Sequence, residues 1–364
     1  MVRLTRVERQ ARTRAAVLAA ARQEFVEWGY GSAHVDRIAE RAELTRGGVY
    51  SNFPSKRALY LAVLVGLVEG AGVPSVTEPP RSVSEALGAF ATAWLERLPL
   101  GDDTGDGRLR LRSVSPVIED DRDRQVLAQL ARLEALLLAL GLEACERHDP
   151  KPRRVRVAEL AMAMLTGSSL LAEVAPGFGD PFDRTVAVRH LAALELADTW
   201  EPAHLPHVAP ATVCQDVWAP PTSAVDHISG TRVDLDADGL VVVLGPARLE
   251  AVEEAVRSAR GAEPVTVAIV TSDPIETGDL VRLRVSDVIS CARRVFPAQT
   301  WAPLRLVIDD AARIATALGV AAIDDQVEAA ARIRGGAIVA RAEGYGAAHA
   351  AATTDQDARG KPAR

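Results

Sequence analysis

The sequence is poor in cysteine. Its 364 residues include three, Cys145, Cys214 and Cys291, which lie far apart and show no metal-ligand spacing. A disulfide framework needs several paired cysteines, and a zinc site needs closely spaced Cys or His ligands. Neither is predicted, and a reducing cytoplasm is the expected location.

The sequence also lacks a long uninterrupted hydrophobic run. Its most apolar stretch, residues 130–145, contains Arg132, Glu134 and Glu143, and the basic N-terminus has no apolar segment of the kind found in signal peptides. We therefore expect no membrane partner.

The charge is unevenly distributed. The whole chain carries a net charge of −7, which by itself argues against a nucleic-acid partner. Residues 1–60, however, hold eleven Lys and Arg against six Asp and Glu, a net charge of +5, so the other 304 residues carry −12. An acidic body with a basic N-terminal region suits a protein that presents one end to DNA.

Apolar residues recur at three- and four-residue steps through the first 200 residues, which predicts an all-α region. Its first helix is expected over 9–28, ended by Gly29, and Ser55 is the expected N-cap of a helix that runs to about residue 68. The other predicted helices cover 33–42, a short segment ending before Pro54, 84–98, 108–118, 121–147, 153–174 and 181–199.

The pattern changes after residue 200. Five prolines without a clear period predict a linker over 201–224. Short β-branched runs at 239–244, 264–270 and 304–308 then alternate with helical patterns at 246–260, 310–318 and 322–334. This alternation predicts a small α/β domain with parallel strand pairing over 225–345, followed by a disordered tail over 346–364.

Residues 35–59, VDRIAERAELTRGGVYSNFPSKRAL, carry the most specific motif. Two short helices joined by a tight turn allow the second helix to enter the major groove of DNA. The spacing of Gly47, Tyr50, Phe53 and Lys56 closely resembles the DNA-binding signature of the TetR family, and the similarity extends over about residues 9–65. The resemblance implies a mainly α protein, with a three-helix DNA-binding head over 1–65 and a helical ligand-binding and dimerisation body over 66–200.

The resemblance also implies roles for individual residues of the head. Thr45, Arg46 and Gly48 match positions that meet base edges or nearby phosphates, and Tyr50 and Lys56 match phosphate-binding positions. Arginine can read guanine through two hydrogen bonds, whereas Tyr and Lys donate to phosphate oxygens. The predicted DNA-binding residues are Thr13, Thr45, Arg46, Gly48, Tyr50, Ser51 and Lys56.

Gly48 departs from a good recognition helix. A second glycine beside Gly47 costs the helix about 1 kcal/mol relative to alanine and removes one side chain that could read a base. We therefore expect sequence specificity to depend more on Arg46 and Ser51.

The resemblance further implies a homodimer and a small-molecule effector whose identity the sequence does not give. The last two helices of the body are expected to form a four-helix interface with a second subunit. Their apolar positions could also be ordinary core of one chain. The candidate effector-binding residues lie on the central helices: Phe90, Trp94, Leu111, Leu133, Leu137 and Met162.

The region 225–345 shows no phosphate-binding loop, nucleophile elbow or cluster of histidines. Asp234, Asp236 and Asp238 resemble the start of a calcium loop, but Gly245 replaces the required Glu, and a polar turn is the simpler interpretation. Acidic residues also follow two of the predicted strands, at positions 273 and 309, where loop acids are common. We predict no catalytic residues, metal or cofactor.

The sequence therefore predicts a DNA-binding transcriptional regulator, most simply a repressor released from a palindromic double-stranded operator by a small molecule. Activation is the first alternative. A metabolite-binding or enzymatic module over 225–345, fused to a DNA-binding head, is the second.

Overall fold

The computed structural model describes residues 5–70, 76, 78–98, 109, 114–146, 151–200, 202–261 and 263–354. The N-terminal region is helical, as predicted. Its helices are α1 Arg6–Ser32, α2 Val35–Arg41, α3 Arg46–Tyr50, α4 Lys56–Glu69, α5 Val83–Leu95, α6 Asp121–Ala144, α7 Val155–Val174 and α8 Pro181–His190.

Local capping determines where several of these helices begin. Thr5 and Glu8 form a capping box at the start of α1, in which each side chain accepts a hydrogen bond from the other residue's backbone N–H. Ser55 accepts a hydrogen bond from Ala58 N at the start of α4, as predicted. Gly29 leaves helical geometry with φ of 70°, which confirms it as the end of the regular part of α1.

Two predicted helices of the body differ from the structure. The helix expected over 181–199 ends at His190, and a 3₁₀ turn, Leu191–Ala193, follows it. Of the helix expected over 108–118, residues 108 and 110–113 lie outside the described residues. Leu109 is helical, and the last part of the segment forms the 3₁₀ turn Ser115–Val117.

The α/β domain contains one six-stranded mixed sheet with the strand order β1-β6-β5-β2-β3-β4. Strands β2, β3 and β4 are parallel, as predicted, whereas β5, β6 and β1 pair antiparallel. The strands are β1 Thr212–Val217, β2 Gly239–Leu244, β3 Val265–Ile269, β4 Leu304–Ile308, β5 Glu328–Arg334 and β6 Ala337–Glu343. The helices are α9 Ala251–Ser258, α10 Thr277–Ala292, α11 Arg313–Leu318 and α12 Ala347–Thr353.

The structure corrects three predictions for this domain and contains one helix that the sequence did not predict. The helix expected over 322–334 is wrong, because these residues include β5. The expected linker 201–224 contains β1, which forms the edge of the sheet by pairing with β6. The expected tail 346–364 contains α12, which packs on β5 and β6. Helix α10 was not predicted.

The sheet has two buried faces. One face packs against α11 and Trp218, and the other against α9, α10 and α12. Through α10, the second face continues into the core of the helical body, where α10 lies against α4, α5 and α6. The α/β domain is thus docked on the body and shares its main hydrophobic core.

Two helices are long and apolar enough to cross a membrane by length and composition alone, which differs from the sequence-based expectation. In α6, 67% of the relevant window is buried inside the fold, as in the core helix of a soluble protein. In α7 the buried share is 33%, because one of its apolar faces is exposed.

Candidate DNA-binding interface

The turn between α2 and α3 is closed by backbone hydrogen bonds. Glu43 N donates to Glu40 O at 3.1 Å, and Leu44 N donates to Ala39 O at 2.9 Å. This pair of bonds is the Schellman arrangement, which requires a left-handed residue after the helix. Glu43 occupies that position with φ of 55°, although it is not glycine. The turn therefore fixes the direction of α3 with some backbone strain.

Helix α3 directs one side inward and the rest outward. Val49 is 1% exposed and packs in the core, as the sequence predicts. Thr45 is the N-cap, and its hydroxyl oxygen accepts a hydrogen bond from Gly48 N at 3.1 Å. Because the helix has five residues, its remaining side chains form a compact exposed surface.

We call this surface the α3 face; it consists of Thr45, Arg46, Tyr50 and Ser51, which are exposed, and Gly48, which is half-buried. The Arg46 guanidinium lies 3.3 Å from Asp36 of α2 and over the Tyr50 ring, 5.6 Å from its centroid. The Ser51 hydroxyl donates to Gly48 O at 2.8 Å. The structure thus brings five of the seven predicted residues together on one solvent-facing surface.

The other two predicted residues, Lys56 and Thr13, belong to α4 and α1 of the head. Lys56, at the start of α4, donates to Gly31 O at 3.3 Å and lies 4.7 Å from the centroid of the Tyr30 ring. Partial burial lowers its pKa from the usual value. Thr13 is half-buried on α1. Lys56 is therefore held against Gly31 and Tyr30, and both predicted residues are only partly exposed to solvent.

Two residues that organise the head were not identified from the sequence. Glu24 is fully buried on α1 and accepts hydrogen bonds from His34 N at 3.0 Å and Arg37 Nε at 2.6 Å, which ties the start of α2 to α1. Arg14 donates to Asn52 O at 3.0 Å and lies 4.1 Å from the centroid of the Phe53 ring. The available signal for Glu24 was its position, because it is an acidic residue next to Phe25 on the inward side of α1.

Five of the predicted effector-binding residues are buried, and Leu111 lies outside the described residues. Trp94 donates from Nε1 to Ser169 Oγ at 3.0 Å, which connects α5 with α7, and its ring is 6.0 Å from Phe90. Leu133, Leu137 and Met162 are also core residues. These side chains form the apolar interior of the body.

The two acidic positions that follow strands of the α/β domain act as helix caps. Asp309 accepts backbone hydrogen bonds at the start of α11, and Asp273 accepts them before and at the start of α10. In the polar turn before β2, Asp238 accepts a hydrogen bond from Gly335 N at 2.7 Å. Within the described ranges, no group of three or more His, Cys, Asp or Glu side chains is placed to hold a metal ion.

Comparison with known proteins identifies the head. The sequence profile of bacterial regulatory proteins of the tetR family matches residues 17–63. The HTH-type transcriptional activator FasR of Mycolicibacterium smegmatis is 47% identical over 62 residues, which are 17% of this chain and 26% of that protein. The chain thus spans about a quarter of the length of this curated relative.

Solved structures of TetR regulators also match about half of the chain. A regulator from Rhodococcus sp. RHA1 is 18% identical, covering 50% of this chain and 95% of its own, with a TM-score of 0.31. TylP from Streptomyces fradiae is 26% identical, covering 51% of this chain and 87% of its own, with a TM-score of 0.33. These scores are too low to establish a common fold by themselves.

Proposed function

We propose that this chain, whose N-terminal domain is a helix-turn-helix of the TetR family, is a homodimeric transcriptional regulator that binds a palindromic operator. The observation that carries the proposal is the α3 face, a solvent-facing group of hydrogen-bonding side chains on a helix whose opposite side is anchored in the core by Val49. A helix presented in this way fits the major groove. The protein acts in the cytoplasm, where the DNA is.

Arg46 is the residue that reads bases in this proposal. Its side chain is 60% exposed, and Asp36 holds the guanidinium beside Tyr50, so Arg46 is both free to reach a base and partly ordered beforehand. Arginine donates two parallel hydrogen bonds to guanine, whereas the hydroxyl of Tyr50 and the ammonium group of Lys56 suit phosphate oxygens.

Selection from a random duplex library tests these assignments. The wild type is expected to enrich one two-fold symmetric sequence. On that duplex, Arg46→Ala is expected to cost about 1 to 3 kcal/mol and to relax the preference at one base pair per half-site. Tyr50→Phe and Lys56→Ala are the comparison variants, because loss of a phosphate contact weakens binding to all sequences alike. Equal losses for Arg46→Ala on selected and scrambled duplexes would remove Arg46 from base reading.

The dimer interface is proposed on α7 and α8. Large apolar side chains are exposed along both helices and the loop between them, with Val174 66% and Phe182 81% exposed. Contiguous exposed apolar surface of this kind marks an interaction site. Its members are Leu160, Met164, Leu170, Leu171, Val174, Phe178, Phe182 and Val186. Other apolar residues of α7, such as Val157, Ala161 and Leu165, are instead buried within the chain.

Sedimentation of a variant tests this interface. Leu170→Glu places a charge on α7 within the exposed apolar surface and is expected to yield a monomer. Val217→Glu changes an apolar residue that is 84% exposed on β1 of the α/β domain, outside the proposed interface helices, and is expected to leave the dimer intact. A dimeric Leu170→Glu protein would place the interface elsewhere.

For regulation, we propose a repressor released by an apolar or amphipathic small molecule bound among the candidate residues of the body. The buried Trp94 connects two body helices and would sense such a ligand. Ligand binding is expected to lower operator affinity by roughly 5- to 150-fold, and operator DNA must weaken ligand binding by the same factor.

Activation is the competing mode, because the relative FasR is named an activator. Deleting the gene distinguishes the two. A repressor predicts that transcripts next to the selected sequence increase in the deletion strain, whereas a decrease would show activation.

A further inference from the structure

Helix α4 belongs to both the head and the body. It begins three residues after Phe53, and Tyr60 on its second turn packs against Phe25 and Tyr30, with ring centroids 5.0 and 4.9 Å apart. Most of the rest of α4 is buried in the body, where the helix packs along α10 of the α/β domain. A displacement of α4 would therefore move the head relative to the body.

The α/β domain contacts the start of this helix through Glu276. One carboxylate oxygen accepts a hydrogen bond from the Ser55 hydroxyl at the N-cap of α4, and the other accepts one from Arg57 Nη1 at 3.0 Å. Arg57 also donates to Asp123 of α6 at 2.7 Å. Arg57 is about one-tenth exposed, so this charge network is largely shielded from water and salt. Three parts of the protein thus meet at the first turn of α4.

The same domain also approaches the other end of the helix. Arg282 of α10 lies 4.0 Å from the carboxylate of Glu69, the last residue of α4, and it also pairs with Asp279 and Asp310. Helix α10 is therefore linked by charged groups to both ends of α4. Apolar packing alone would bury the surface between the α/β domain and the body without requiring polar contacts at the two ends of α4.

We infer that the α/β domain positions the DNA-binding head, with Glu276 as the positioning residue that holds the first turn of α4. In the dimer, this contact sets the separation of the two α3 helices and hence the spacing of half-sites that the protein accepts. The inference rests on the proposed function, since it requires a dimer that binds two half-sites. It gives the α/β domain a role in operator choice.

The test uses full-length protein carrying Glu276→Gln, which removes the charge facing Arg57 while keeping the shape of the side chain. The matched control is Glu143→Gln. Glu143 on α6 accepts hydrogen bonds from Arg257 of α9 at 2.6 and 2.7 Å, so it forms a comparable contact between body and α/β domain that does not involve α4.

Affinity is measured by fluorescence anisotropy on duplexes that carry the two half-sites selected by the wild type, moved apart one base pair at a time. A second duplex type carries one half-site. For Glu276→Gln, we expect a shifted or broadened spacing optimum and at least a 5-fold loss at the wild-type spacing, with less than a 2-fold change on the single half-site. Glu143→Gln is expected to keep the wild-type optimum.

Glu276→Asp keeps the charge at a shorter reach and is expected to lie between wild type and Glu276→Gln. An unchanged spacing optimum for Glu276→Gln would overturn the inference. Identical changes in affinity and spacing optimum for Glu276→Gln and Glu143→Gln would also overturn it, because they would indicate a general loosening of the contact between the body and the α/β domain. If the wild type itself selects no paired half-sites, the proposed function fails instead.

Discussion

Gly141 tests whether the α/β domain is docked on the helical body. A Cβ added at this position of α6 would lie 2.8 Å from two ring atoms of Phe296, closer than real Cβ contacts. Phe296 is 1% exposed and packs edge-on against Trp301, whose Nε1 donates to Leu137 O at 3.0 Å. The ring is therefore held on both sides and cannot easily turn away.

The expected effect of Gly141→Ala combines two terms. Alanine favours the helix by about 1 kcal/mol, and overpacking of a filled core costs about 1 to 3 kcal/mol. Gly66→Ala supplies the matched control, because Gly66 is exposed in α4 and an added Cβ has no atom within 4 Å. We expect Gly66→Ala to be more stable than Gly141→Ala by about 1 to 3 kcal/mol.

Urea unfolding followed by circular dichroism measures this difference at one protein concentration. The midpoint of Gly66→Ala should exceed that of the wild type, and the midpoint of Gly141→Ala should be the lower of the two variants. If both variants gain stability equally, Phe296 does not pack on Gly141, and the docking of the α/β domain described above is wrong.

Three further substitutions test local features by the same unfolding measurement. Glu43→Gly is expected to stabilise the protein by up to about 1 kcal/mol, because glycine adopts the left-handed backbone without strain; Glu43→Ala should gain nothing. Gly48→Ala should also gain about 1 kcal/mol, since its Cβ would meet Leu44 at an ordinary 3.5 Å, and anisotropy should show altered binding to the selected duplex. Burial raises the pKa of Asp279 to about 6 despite Arg282, so the ionised carboxylate disfavours the folded state. The free energy of unfolding of Asp279→Asn should therefore exceed that of the wild type by an amount that grows from about pH 4 to pH 6 and then levels off at up to about 2 kcal/mol. A difference that does not depend on pH would contradict this.

The head could be predicted because its signals are local. Caps such as Ser55, stops such as Gly29 and the apolar spacing of α1 to α4 act within a few residues, so the sequence places the helices and the α3 face without knowledge of the rest of the chain. The contact of Arg57 with Glu276 joins residues 219 positions apart, and no local pattern indicates it.

The α/β domain was predicted less well for two physical reasons. The alanines of β5 favour a helix, but pairing with β2 and β6 on both sides outweighs that local preference. Gly335 and Gly336, both with positive φ, form the tight turn of the β5–β6 hairpin and were the available signal. Helix α10 packs against both the sheet and the body, so its apolar residues do not form a single stripe.

The specificity ratio of the wild-type protein tests the central claim most directly. Affinity is measured by fluorescence anisotropy at physiological salt, on the selected duplex and on a scrambled duplex of the same composition. A regulator that reads bases through the α3 face predicts binding at least about 10³-fold tighter to the selected duplex. Equal affinity for the two duplexes, with the same dependence on salt, would show binding to the phosphate backbone alone and would contradict the account.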